Sequence, residues 1–129
     1  MDTPVTGTPR LLLRLEGLVV LASAILAYRA LGAPWTLFAL VLLVPDLALL
    51  GYFAGPRLGA WFYNAAHVYL APGAIAIVAF VASQPALWPI CAIWMAHIGM
   101  DRTLGLGLKF STGFNRTHLG TVGRAAPTA

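Results

Sequence analysis

Charge is what this chain has least of. Asp, Glu, Lys and Arg make up 9% of its 129 residues, where a soluble domain carries about 25%. With 60% hydrophobic residues and a mean hydropathy of +0.82, that scarcity excludes an ordinary water-soluble domain and reads as a membrane protein. Cysteine is almost missing too. The single Cys91 excludes an internal disulfide, and its apolar surroundings make it a small buried hydrophobe. A phosphate-gripping basic face is also lacking. The net charge is +4, but Lys and Arg lie outside or between the apolar runs, as membrane flanks do, so nucleic acid is not a partner. No strand–turn–helix unit surrounds Gly105-Leu106-Gly107, which excludes a dinucleotide fingerprint.

What is present is a series of long apolar runs. A span needs about 20 residues to cross about 30 Å of hydrocarbon, so the length predicts one domain, residues 1–129, with four spans. They run over about 11–31, 35–53, 58–81 and 85–104. Gly and Pro punctuate each boundary: Gly32-Ala33-Pro34, Gly55-Pro56 and Ser83-Gln84-Pro85. Met1–Pro9 reads as a short irregular start. Arg10 and Arg14 ahead of Leu18–Ala27 have the shape of a signal peptide, but Glu16 interrupts the run. The apolar stretch also continues past any cleavage site, so a retained first span is expected.

Connections this short make neighbouring spans antiparallel. The expected fold is all-α, an integral membrane four-helix bundle of up-down topology. One side then collects Arg10, Arg14, Arg57, Arg102, Lys109, Arg116 and Arg124, and the other only Arg29. The positive-inside rule puts both termini in the cytoplasm, in a multi-pass protein of a bacterial inner membrane. Residues 105–129 form a cytoplasmic or interfacial tail, too glycine-rich for a fifth span and suited to lie at headgroups or fold back as a lid.

Inside these runs sit Glu16, Asp46, His67, His97 and Asp101. Ionisable groups in hydrocarbon are expensive and mark a functional site by default. At 1.5 Å per residue the topology places all five within roughly 5–15 Å of the cytoplasmic boundary. His97 and Asp101 are four apart and share a helix face, as do Asn64 and His67, three apart. Pro45 removes a backbone donor beside Asp46 and is expected to bend span two there.

Imidazoles and carboxylates together suit Zn, Mn or Fe. Asp46, His67, His97 and Asp101 are the candidate ligands. Glu16 is a candidate general base or further ligand, Asn64 an orienting group, and Arg102 a holder of an anionic group or an inner-side anchor. The set resembles that of di-metal carboxylate bundles, but their Glu-x-x-His pairs are absent. Plain readings compete with each assignment. Buried polar residues often only link helices, at about 0.6 kcal/mol each, and Glu16 could reach water by snorkelling. A proton relay is a further alternative, although beyond Ser23, Thr36, Ser83 and Gln84 the outer half offers few polar groups.

The Leu15-Glu16-Gly17 start, Pro45-Asp46, Asn64-x-x-His67, His97-x-Gly99-x-Asp101-Arg102, and Gly105–Lys109 through Thr117-His118-Leu119-Gly120 together resemble a bacterial family. Its members are small multi-pass membrane proteins known only as a domain of unknown function. The resemblance covers nearly the whole chain, supplies no reaction, and adds His118 to the candidate ligands. The sequence thus points to a small membrane enzyme, metal-dependent and hydrolase-like, acting at the cytoplasmic leaflet on a lipid-like or amphiphilic substrate. A proton-coupled carrier or channel subunit, which would need a homo-oligomer, is the alternative. A structural or sensor subunit is the third.

Overall fold

The structure, a computed structural model, describes residues 2–123; Arg124, counted above among the flanking charges, lies outside them. Five helices follow one another: α1 (Gly7–Leu31), α2 (Trp35–Val41), α3 (Pro56–Ala66), α4 (Leu70–Val81) and α5 (Leu87–Leu104). A 3-10 segment, Val44–Ala54, joins α2 to α3. Beyond α5 the chain folds back and ends in a small antiparallel hairpin, β1 (Arg116–Thr117) paired with β2 (Gly120–Thr121).

Gly7–Leu31 and Trp35–Ala54 are long and apolar enough to cross a membrane, with mean hydropathies of 1.9 and 2.2. α3 and α4 pass the same test only as a pair bent by 42°. α5, expected as a fourth span, is not among them, because His97, Asp101 and Arg102 lower its apolarity. It is instead the enclosed helix, with nine of its 18 residues buried against three of 25 in α1. The surface is inverted relative to a soluble protein: Phe53 is 91% exposed and Leu40 78%, while His97 is fully buried. Such an apolar exterior around a polar interior needs a non-aqueous surround.

Two prolines decide where the apolar segments break. A proline has no N–H for the carbonyl four residues back and collides with it. Pro45 stands four after Val41, where α2 stops and the backbone tightens into the 3-10 segment. Pro72 stands four after Val68, and the helix is interrupted between Ala66 and Leu70, upstream of the Pro72-Gly73 step itself. Each interruption carries an ionisable residue, Asp46 in the first and His67 in the second. Two carbonyls at the second gap are taken up by α5. The Trp94 indole Nε1 donates to Ala66 O at 2.6 Å, and Arg102 Nη2 donates to His67 O at 3.0 Å.

α1 and α5 lie antiparallel and touch at two glycines. A Cβ on Gly17 would collide with the Arg102 side chain, and one on Gly99 would lie 2.7 Å from Leu21 N and 2.8 Å from Gly17 O. Small residues let helix backbones approach this closely in a membrane. At the next turns Arg14 Nε donates to Thr103 O at 2.9 Å, placing a cation at the C-terminal end of α5, where the helix dipole favours it. Gly105, with φ 83°, closes the helix in the left-handed conformation.

The segment after α5 is a cap. Leu108 N–H donates to His118 Nδ1 at 2.8 Å, His118 N–H to Leu108 O at 2.9 Å, and Val5 N–H to His118 O at 2.7 Å. Leu119 is fully buried beneath it. Asn64 ties the cap to the helices, donating through Nδ2 to Lys109 O at 2.8 Å and accepting from Lys109 N–H at 2.7 Å. Asn64→Ala strands both backbone groups, at a cost of about 1–3 kcal/mol. Trypsin is therefore expected to cut at Lys109 and Arg116 faster in the variant; an unchanged digestion rate would refute the tether.

Candidate metal centre

Three elements bring four side chains to one point. Asp46 comes from the start of the 3-10 segment, His67 from the gap between α3 and α4, and His97 and Asp101 from adjacent turns of α5. Their donor atoms converge. His67 Nε2 lies 3.2 Å from Asp46 Oδ1 and 3.5 Å from Asp101 Oδ2; His97 Nε2 lies 3.4 and 3.5 Å from the same two oxygens. The two Nε2 atoms are 3.0 Å apart, and all four donors fall within 4.8 Å of one another. Ligands about 2.0–2.1 Å from a zinc-like ion at tetrahedral corners stand about 3.3–3.4 Å apart. Five of the separations cluster about that edge length.

The surrounding groups prepare the donors. His67 Nδ1 donates to Tyr63 O at 2.7 Å, which leaves Nε2 with a free lone pair facing its partners, as metal-ligating imidazoles are commonly held. Tyr63 also stacks on the His67 ring, with centroids 3.7 Å apart and 11° between planes, and its hydroxyl donates to Asp101 Oδ2 at 3.3 Å. His97 Nδ1 is buried with no partner, so that ring can carry its proton on either nitrogen. His67, His97 and Asp101 are buried, whereas the Asp46 side chain is 38% exposed. The cluster therefore has one open flank, at Asp46.

An apolar pocket of about 300 Å³ is lined by Val41, Val44, Pro45, Ala48, Ala66 and Trp94 among others. Pro45 and Ala66 are the chain neighbours of Asp46 and His67, while the four donor residues themselves do not line the pocket.

The other sequence-derived candidates separate from the four. Asn64 holds the cap through Lys109 and reaches no donor of the cluster. Glu16 is exposed on α1, and with Arg102 and His118 it lines a different groove, on the α1 side of α5. His118 spends Nδ1 on the Leu108 amide, and burial lowers its pKa, with the Arg102 charge acting in the same direction. The residues expected to share one polar layer thus fall into two sets, the four clustered donors and the group of Glu16, Arg102 and His118 that lines the other groove.

Tyr63 and Lys109 carry geometry that the sequence reading did not assign. The Lys109 ammonium donates to Phe114 O at 2.8 Å and sits 4.9 Å above the Tyr63 ring. Burial pushes it below the usual lysine pKa, against the opposing pull of Asp101 and Asp46. Tyr63 stands four residues before His67 and shares its helix face, a spacing that could have exposed it. Tyr63→Phe keeps the stack and removes the hydrogen bond to Asp101. About tenfold weaker metal affinity is expected, at the lower end of the range for outer-shell partners. Competition against a chelator measures it, and unchanged affinity would separate Tyr63 from the centre.

A family model described as a domain of unknown function (DUF4260) matches residues 10–122. No curated protein and no solved structure matches the chain.

Proposed function

We propose that this chain, which belongs to the DUF4260 family over residues 10–122, is a metal-dependent membrane hydrolase acting on a lipid-like or amphiphilic ester. The observation that carries this reading is the set of five donor separations, 3.0–3.5 Å, that the His67 and His97 Nε2 atoms make with each other and with Asp46 and Asp101. Zn, Mn and Fe all accept imidazole with carboxylate. With four protein donors the ion would have to expand to a fifth position to take water or substrate, and there it would lower the pKa of water toward neutrality and polarise a carbonyl or phosphoryl oxygen.

The chain's own groups then divide the work. The two imidazoles and Asp101 are buried and would hold the ion. Asp46, with its side chain 38% exposed, would complete the set, and its second carboxylate oxygen would take the proton of the attacking water. The pocket at Pro45, Ala66 and Trp94 takes the apolar chain of the substrate and brings its ester to the open flank. Hydrolysis delivers hydroxyl to the carbonyl and a proton to the leaving alcohol. Asn64 acts at a distance, by holding the cap against α3.

The same reading places the protein in a bacterial inner membrane, in four spans with both termini cytoplasmic. Its support is the seven-to-one distribution of Lys and Arg between the two sides of that topology. A proton carrier draws support from the 3.0 Å contact between the two Nε2 atoms. It fares worse beyond the cluster, because the adjoining pocket is apolar and offers a proton no next acceptor.

The test is turnover in mixed micelles. Protein loaded with Zn or Mn is offered a phospholipid ester and an isoprenyl ester. Product release that stops on chelation, and is lost in His97→Ala, supports the hydrolase. A folded, metal-loaded protein that turns over neither class above background overturns it.

A further inference from the structure

On the α1 side of α5, away from the four donors, a second groove joins polar groups to a long apolar trough. Its polar end is an open space of about 750 Å³ lined by Leu12, Glu16, Tyr69, Arg102 and His118 with their neighbours. Its apolar end, about 570 Å³, continues along α1 from Val19 to Leu31 against Ala76, Trp88 and Met95. Val19 and Val20 line both spaces, so the two meet along the same stretch of α1. At 1.5 Å per residue the trough runs about 18 Å. One leaflet of the hydrocarbon core is about 15 Å deep. The trough therefore has the length of a single acyl chain.

The polar end carries a buried charge with no carboxylate in direct contact. Arg102 is only 8% exposed; its Nη2 donates to His67 O, and its guanidinium carbon lies 6.0 Å from the Tyr69 ring centroid. Among the described residues the ion pairs all join His67 or His97 to Asp46 or Asp101, and none involves Arg102 or Glu16. A buried guanidinium without a direct ion-pair partner is costly, and an anion in the groove would offset that cost. Glu16 faces the same space unpaired. His118 adds a ring beside them, held through its Nδ1. The groove thus offers a position for an anion at Arg102 and one for a cation at Glu16.

The geometry points to a zwitterionic phospholipid bearing a free amine, with its phosphate on Arg102, its ammonium on Glu16 and one acyl chain in the trough along α1. The site is separate from the metal centre and does not depend on it. Arg102 binds the lipid and also supports the backbone of His67, so occupancy of the groove steadies one metal ligand.

Native mass spectrometry of the full chain in detergent, metal-stripped with a chelator, tests this with phosphatidylethanolamine and phosphatidylglycerol as probes. Phosphatidylethanolamine is expected to be retained about fivefold more strongly, the scale of one interfacial ion pair. Glu16→Gln, on an exposed residue, erases that preference, while Arg102→Gln weakens retention of both lipids. The proposal is overturned if wild type holds both lipids equally or holds neither, or if Glu16→Gln leaves the preference intact. None of these results depends on whether His67 and His97 bind metal.

Discussion

Alanine at His97 is expected to abolish tight metal binding while leaving a folded protein. His97 Nε2 stands 3.0–3.5 Å from the three other donors, and its Nδ1 makes no hydrogen bond. Its removal therefore costs the centre one ligand and breaks no other polar contact. Loss of a direct ligand exceeds the about 10–100-fold attached to outer-shell partners, so affinity should fall by more than about 100-fold. His67→Ala should do the same, and it also removes the ring that Tyr63 stacks upon. Competition with a calibrated chelator, alongside circular dichroism to confirm the helices, measures both. Wild-type affinity in a folded His97→Ala would detach this residue from any metal.

The second large effect lies where α1 crosses α5. Gly99→Ala places a Cβ 2.7 Å from Leu21 N and 2.8 Å from Gly17 O. Both obstacles are backbone, so the strain cannot be relieved by a rotamer change and the helices must separate. Overpacking of this kind costs about 1–3 kcal/mol and sometimes more; two rigid contacts put Gly99→Ala at about 3 kcal/mol or above. Gly73→Ala is the internal contrast. It sits in α4 with nothing within 4 Å of an added Cβ, and alanine there is expected to stabilise by about 0.5–1 kcal/mol through helix propensity. Thermal unfolding in detergent should thus move in opposite directions for two identical chemical changes. Equal shifts would contradict the crossing.

Much of this was legible in the sequence, and the limits have physical causes. The apolar runs with their Gly and Pro boundaries located the helices, and the cost of charge in hydrocarbon singled out Asp46, His67, His97 and Asp101. Depth along a span, however, says nothing about which flank a residue faces. Glu16 was expected at the same depth as the four, yet α1, packed on α5 at Gly17 and Gly99, carries it on the wall of the other groove. His118 lies beyond the helices, where no periodicity predicts a direction, and the hairpin turns it toward Leu108. Pro45 announced a bend at Asp46, but the second interruption fell upstream of Pro72-Gly73 because a proline acts on the carbonyl four residues before it. Tyr63 was passed over because an apolar ring with a hydroxyl looks like any other core aromatic until its partner is known.

The most direct measurement is X-ray absorption at the metal edge of protein equilibrated with one equivalent of zinc. Bound zinc should show four nitrogen or oxygen neighbours at about 2.0–2.1 Å, with outer-shell scattering from two imidazole rings that drops to one in His97→Ala. Zinc that stays in solution, or that binds through oxygen alone with no imidazole signal, would contradict the centre.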